Sequence, residues 1–125
     1  MIRRLANDRR AVTSVELGLV ALPFLMVLFA GIEFALAVRM RSALQYAVTD
    51  AARCAAVNRT VCDTAQKIQA YAYSRMQGVS VPANSFVSSN QSCGREVSAS
   101  VPFPVVAHSV MPHVYTLAVR SCYPP

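Results

Sequence analysis

A long apolar run near the N-terminus constrains this chain more than any other feature. From Leu17 to Ile32 the sequence reads LGLVALPFLMVLFAGI, sixteen residues without a charge, and after Glu33 it resumes as FALAV up to Arg39. At about 1.5 Å per residue, a helix over residues 17–38 would measure roughly 33 Å, enough to cross a hydrocarbon core of about 30 Å. The run is longer than a usual signal-peptide core, and no small-x-small cleavage site closes it before Arg39. The sequence therefore predicts a retained membrane-spanning helix.

Charge and cysteine placement predict how this helix is oriented. Of the twelve basic residues that give the chain its net charge of +6, four lie in the first ten positions: Arg3, Arg4, Arg9 and Arg10. A basic cluster before a first apolar span favours a cytoplasmic N-terminus. All four cysteines follow the span, which fits an oxidising compartment: Cys54, Cys62, Cys93 and Cys122. We expect a single-pass membrane protein, with residues up to about 15 in the cytoplasm and the C-terminal domain outside the cytoplasm.

The chain is predicted to have three parts: a basic leader over 1–11, a long helix over 12–57 and a small extracytoplasmic domain over 58–125. No Gly or Pro occurs between Glu33 and Val57, so the helix should continue beyond the membrane. Apolar residues recur there at spacings of three and four: Leu36, Met40, Ala43, Leu44, Ala47, Val48, Ala51, Ala52 and Ala55. Small residues permit close helix packing. This alanine-rich face could pack on the chain's own domain or on helices of sister subunits, and both alternatives remain open from the sequence.

The remaining residues predict a second helix followed by short strands. The helix should run from Asp63 to about Gln77, with Asp63 as its N-cap, Gln66 completing a capping box, and Gly78 as its end. Its expected inward face consists of Ala65, Ile68, Ala72 and Met76, with Tyr71 beside them.

Alternating apolar residues predict strands over Glu96–Phe103 and Tyr115–Cys122, and a shorter strand near Phe86–Ser88. The segment between the first two contains Pro102, Pro104 and Pro112, which predicts a loop. The fold class is therefore α+β: a long N-terminal transmembrane helix that extends into a small disulfide-tied domain with a second helix and a short antiparallel sheet.

The four cysteines permit three disulfide pairings. Cys54 ends the long helix and Cys62 precedes the second helix, so a bridge would hold the turn between them. Cys93 and Cys122 flank the strand region and could close it. We favour these two pairs over a Cys₂His₂ zinc site with His108 and His113, because no C-x₂₋₄-C pair exists and the compartment favours disulfides. No metal is expected.

The chain contains few titratable residues that could converge on a catalytic site. After the expected span only Asp50, Asp63 and Glu96 are acidic, and no Gly-rich phosphate loop, nucleophile elbow or HExxH motif occurs. The basic residues beyond the leader are scattered, without the aromatic-interleaved patch of nucleic-acid binders. We therefore expect a protein that is not an enzyme and has no cofactor, small-molecule substrate or nucleic-acid partner.

Three segments carry a resemblance to a known family. They are RRAVTSVELGLVALP at 9–23, GIEF at 31–34 and RSALQYAVTDAAR at 41–53. Together they resemble TadE-like pseudopilins, the minor subunits of tight-adherence (Tad/Flp) type IV pili, over residues 9–57. The resemblance implies a structural subunit for assembly of an adhesive pilus. It also implies a location in the bacterial inner membrane, with the C-terminal domain in the periplasm. Its implied partners are other pilins, which contact the N-terminal helix, the prepilin peptidase and inner-membrane lipid.

The resemblance also implies a processing site and an assembly residue. A prepilin peptidase would cut between Ala11 and Val12, which makes Glu16 the fifth residue of the mature chain and its subunit-assembly residue. The chain departs from the family pattern at Ala11, where glycine is usual, and at Leu17, where an aromatic residue is common. The alternative is a single-pass membrane-anchored periplasmic binding or envelope protein that never enters a filament. Glu16 distinguishes the two, because a carboxylate at the edge of an apolar span is costly and a plain anchor supplies no reason for it.

Overall fold

The structure, a computed structural model, describes residues 9–103 and 115–124, with side chains from Thr13 onward. Its elements are helices α1 (Arg9–Val57) and α2 (Ala65–Ser74), a 3-10 turn at Ala83–Ser85, and strands β1 (Phe86–Gln91), β2 (Gly94–Phe103) and β3 (Tyr115–Tyr123). The chain divides into two compact units, Met1–Ala35 and Leu36–Pro125. The predicted α+β class, with a long apolar helix, a second helix and a small antiparallel sheet, is confirmed.

The described part of the first unit consists of helix α1 alone. No residue between Thr13 and Ala35 is buried, and the large apolar side chains there are about half to three-quarters exposed. The helix contains an apolar window of mean hydropathy 2.3, long enough to cross a membrane. Pro23 lies inside it. Soluble proteins rarely expose a contiguous apolar surface as large as this one, so this part of α1 is a candidate membrane anchor.

In the second unit, α1 forms one wall of a hydrophobic core. Six residues on one face of the helix have no exposed surface: Leu44, Ala47, Val48, Ala51, Ala52 and Ala55. They belong to one buried cluster with Ile68 of α2 and Phe86 and Val97 of the sheet. The alanine-rich face is therefore occupied by the chain's own domain over residues 44–55, and over this length the first of the two alternatives is confirmed.

Helix α2 begins at Ala65, one residue later than an N-cap at Asp63 would place its start. Thr64 is the N-cap: its backbone is extended, and its hydroxyl accepts a hydrogen bond from the Lys67 amide at 3.4 Å. Asp63 instead forms an ion pair with the Lys67 ammonium at 2.9 Å. The prediction of Asp63 as cap is wrong, because two capping residues stand side by side and only the second has an oxygen placed over the first turn.

The other end and the inward face of α2 also differ from expectation. The helix ends at Ser74, before the predicted Gln77, because the Arg75 amide donates to the carbonyls of both Tyr71 and Ala72 and so tightens the last turn. Ile68 and Ala72 are buried as predicted, whereas Ala65 is exposed.

The three strands form an antiparallel sheet in the order β1-β2-β3. Its inner face contributes Phe86, Val97, Ala99, Val101 and Val119 to the core. The Gln69 side chain donates to the Phe86 carbonyl at 2.8 Å and so ties α2 to β1. β1 continues to Gln91, beyond the short strand that the sequence predicts.

Pro102 was placed both near the end of the strand predicted over Glu96–Phe103 and in the loop that follows, and the structure places it within β2. β1 begins at Phe86, opposite Ala99, so at Pro102 the middle strand has only β3 as a neighbour, through Thr116. A proline is tolerated there because one side of the strand is an edge. Pro104, Pro112 and the two histidines lie outside the described residues.

Two disulfides join Cys54 to Cys62 and Cys93 to Cys122, with Cα atoms 5.9 and 6.3 Å apart. This is the pairing that the sequence favours. The first bridge is buried beside the end of α1. Gly94, next to the second bridge, has a φ of +125°, which glycine adopts readily. A side chain at this position would also collide with the carbonyl oxygen of Tyr123. Since Cys93 and Cys122 are bonded to each other, their sulfurs are not available to a zinc ion.

Candidate subunit-assembly site

The residues predicted to act in processing and assembly lie at the start of α1. The helix begins at Arg9, so the backbone at Ala11 and Val12 is helical, while their side chains are outside the described set. Glu16 follows Val12 by four residues, about 6 Å along the axis. One turn of helix therefore separates the expected new N-terminus from this carboxylate.

Glu16 is an exposed carboxylate with apolar neighbours on both sides. Val15 and Leu17 are 63% and 70% exposed, so the described part of the chain does not cover this turn. Within that part, no hydrogen bond or ion pair engages Glu16. A carboxylate beside an apolar span that has no partner among the described residues is suited to an ion pair or hydrogen bond supplied by another molecule.

A second polar cluster, which the sequence did not reveal, joins the two helices of the globular unit. The Tyr71 hydroxyl donates to Asp50 Oδ2 at 3.1 Å, and the Arg75 guanidinium contacts both: Nε lies 3.0 Å from Asp50 Oδ2 and Nη2 lies 2.7 Å from the Tyr71 oxygen. The guanidinium carbon also stands 4.8 Å from the centroid of the Tyr71 ring. Asp50 belongs to α1 and the other two residues lie on or directly after α2, so the cluster fixes the second helix on the first.

The contacts within this cluster favour the charged form of Arg75. Its hydrogen bond to Tyr71 raises the pKa of the guanidinium, and the negative charge of Asp50 acts in the same direction. The sequence contained only weak signals of the cluster. Asp50 borders the buried face of α1, and Tyr71 and Arg75 are spaced four apart, but nothing local shows that these two edges meet.

The described residues do not bring together a metal site: no three His, Cys, Asp or Glu side chains within 9–103 and 115–124 are grouped closely enough to hold an ion. Two of the three acidic side chains of the globular unit are instead engaged in separate ion pairs, Asp50 with Arg75 and Asp63 with Lys67. These contacts have a structural purpose, since each holds α2 or its first turn in place.

Comparison with known proteins supports the TadE-like resemblance of the N-terminal segment. The family model described as TadE-like protein matches residues 11–53, which begin at the expected processing site and include Glu16, the anchor and the first part of the buried helix face. Comparisons with curated proteins and with solved structures found no match. Residues 11–53 are accordingly a TadE-like segment, and this match supports a relation of the chain to TadE-like proteins of the Tad pilus system.

Proposed function

We propose that the protein is a minor pilin or pseudopilin, a structural subunit that is held in the inner membrane and enters or primes a Tad-type pilus for surface attachment. The observation that carries this proposal is the structure of α1. Its first part presents a bare apolar surface with Glu16 at one end, and the same helix continues into the core of the globular unit. An assembly contact made by the first part is therefore made by the same helix that supplies residues to the core of the domain.

The proposal includes a topology and a processing step. Residues up to about 15 lie in the cytoplasm, residues 17–38 span the membrane and the globular unit is periplasmic, because an arginine cluster resists translocation. The prepilin peptidase cuts between Ala11 and Val12. The Val12 amine produced by the cut is largely protonated near neutral pH.

The new amine and Glu16 provide a mechanism for recognising partner subunits. Charges of opposite sign attract strongly in an apolar setting, and either one left alone there is penalised. When a subunit joins a helical array, its N-terminal amine can meet the carboxylate of a neighbouring helix, or its own carboxylate can meet a neighbour's amine. Glu16 thus favours correct seating of partner pilins, and no catalytic chemistry is required of the chain.

The alternative function is a single-pass anchored protein that binds a periplasmic partner or envelope component and does not enter a filament. It accounts equally well for the exposed apolar helix. It gives no role to the carboxylate at Glu16, and this residue therefore separates the two functions.

The test compares Glu16→Gln with Glu16→Asp in cells that make the pilus. Glu16→Gln keeps size and hydrogen bonding but removes the charge, whereas Glu16→Asp keeps the charge. We expect both variants to insert, to form their disulfides and to accumulate like the wild type. Only Glu16→Gln should lose pili and co-purification with partner pilins.

Two results would contradict the proposal. Piliation by Glu16→Gln at the wild-type level would show that the carboxylate has no assembly role. N-terminal sequencing of the membrane-bound wild type that began at Met1 instead of Val12 would remove the partner amine and with it the mechanism.

A further inference from the structure

A small apolar groove lies on the globular unit, where α1 enters it. Its volume is about 360 Å³, and its lining residues are Leu36, Arg39, Met40, Gly78, Val79, Ser80 and Phe103. Four of them are large and apolar, contributed by α1, by the segment after α2 and by the end of β2. Leu36 is 48% exposed, and Met40, Val79 and Phe103 are half-buried, so an apolar molecule can reach them.

Arg39 supplies the one charge among these lining residues. A Cβ built on Gly78 would stand 3.2 Å from Nη2 of Arg39, so the guanidinium lies against the glycine backbone at the groove. The ion pairs Lys67–Asp63 and Arg75–Asp50 do not involve Arg39. The groove thus combines apolar walls with a cation that neither of these pairs uses, a combination that suits an amphipathic anion.

The position of the groove along α1 identifies the occupant. If the span begins at Leu17, a hydrocarbon core of about 30 Å ends roughly twenty residues later, near Leu36. Arg39 and Met40 follow at about 5 Å further along the axis, at the depth of lipid headgroups. The part of α1 that lines the groove is therefore expected within reach of phospholipid headgroups and upper acyl chains.

We propose that this groove binds an anionic phospholipid of the outer leaflet of the inner membrane, with the headgroup phosphate on Arg39 and the upper acyl chain against Leu36, Met40, Val79 and Phe103. The proposal rests on the membrane anchor of the proposed function and adds a second lipid contact, made by the globular unit itself. Such a contact would hold the domain on the membrane before the subunit is taken up for assembly.

Because the chain contains no tryptophan, a single introduced tryptophan reports its own surroundings. Phe103→Trp places the reporter in the groove, and Tyr123→Trp is the matched control. Tyr123 pairs with Arg95, whereas Phe103 pairs with Tyr115, so the two positions lie at opposite ends of the β2–β3 pair, roughly 26 Å apart. Val79→Trp is a second groove reporter that leaves the sheet unchanged.

The full-length variants are reconstituted in phosphatidylcholine vesicles that contain a minor fraction of lipid with brominated acyl chains, which quench nearby tryptophan. The brominated lipid is either phosphatidylglycerol or phosphatidylcholine at the same mole fraction. We expect both groove reporters to be quenched well above Tyr123→Trp. Since one arginine near an anionic headgroup contributes about 1 kcal/mol, brominated phosphatidylglycerol should be enriched about fivefold at the groove over brominated phosphatidylcholine. Adding Arg39→Gln should abolish this preference.

The outcomes separate this inference from the proposed function. Failure of the wild type to float with vesicles would refute the anchor, and with it the proposed function. If the protein floats but both groove reporters are quenched no more than Tyr123→Trp, lipid does not occupy the groove and only this inference is overturned. Groove quenching without a preference for phosphatidylglycerol, or with a preference that survives Arg39→Gln, overturns the assignment of Arg39 to the headgroup.

Discussion

The disulfide between Cys93 and Cys122 should be a major source of stability for the globular unit. It joins residues 29 apart in the sequence, while the Cys54–Cys62 bridge joins residues 8 apart. The entropy that such closures remove from the unfolded chain corresponds to about 3.6 kcal/mol for the longer loop and about 2.5 kcal/mol for the shorter loop. Small domains have a net stability of about 5–15 kcal/mol. Loss of the longer closure should therefore leave a folded but marginal unit.

The perturbation is the double substitution Cys93→Ala with Cys122→Ala. Cys93 is exposed and Cys122 is half-buried, so the change removes little buried surface and mainly reports loop closure. The expected loss of about 3.6 kcal/mol should lower the midpoint of thermal unfolding by about 15–25 °C for a unit of this size. Unfolding of the full chain in detergent micelles can be followed by near-ultraviolet circular dichroism of its tyrosines.

The matched variant is Cys54→Ala with Cys62→Ala. Both of these sulfurs are buried, so its cost should exceed the loop value of about 2.5 kcal/mol by the packing that is lost. A loss of less than about 1 kcal/mol for the Cys93–Cys122 variant would refute the closure argument. Peptide mapping without reduction that linked Cys54 to Cys93 or Cys122 would refute the pairing itself.

Three further predictions concern topology and the helix contacts. A reporter fused after Pro125 should be active as an export-dependent enzyme and inactive as a cytosolic one; the reverse result contradicts both candidate functions. Asp50→Ala and Arg75→Ala should each lower the free energy of unfolding of the unit. The double variant should lose less than the sum of the two single losses, because each single change leaves the other charge without its partner. Strictly additive losses in denaturant titrations would show that the pair is uncoupled. The hydrogen bond from Lys67 lowers the pKa of Asp63 below its ordinary 3.8. The contribution of this pair to stability is therefore present above pH 4 and is lost as the pH falls through the lowered pKa. A Lys67→Ala variant whose stability shows the same acid dependence as the wild type would contradict this.

The sequence by itself determined the features that depend on one segment. Leu17–Val38 has the length and apolarity of a membrane anchor whatever surrounds it, and the absence of Gly and Pro after Glu33 lets α1 continue to Val57. The alternation in β2 and β3 similarly fixed which residues share a face, since a strand has a period of two. The family motifs at 9–23, 31–34 and 41–53 could also be recognised from the sequence alone, because all three lie in the one continuous segment that forms α1.

Features that depend on contacts between distant segments were decided only by the tertiary structure. The sequence could not tell whether the alanine face of α1 meets its own domain or a sister helix, because small residues permit both. The fold decides it over 44–55 by placing Ile68, Phe86 and Val97 against that face. Likewise, the meeting of Asp50 with Arg75 requires α2 to cross α1 at one register, and a proline is accepted at position 102 only because β1 does not extend past Ala99. Local patterns specify the elements, whereas the pairing of their surfaces follows from packing that no single segment encodes.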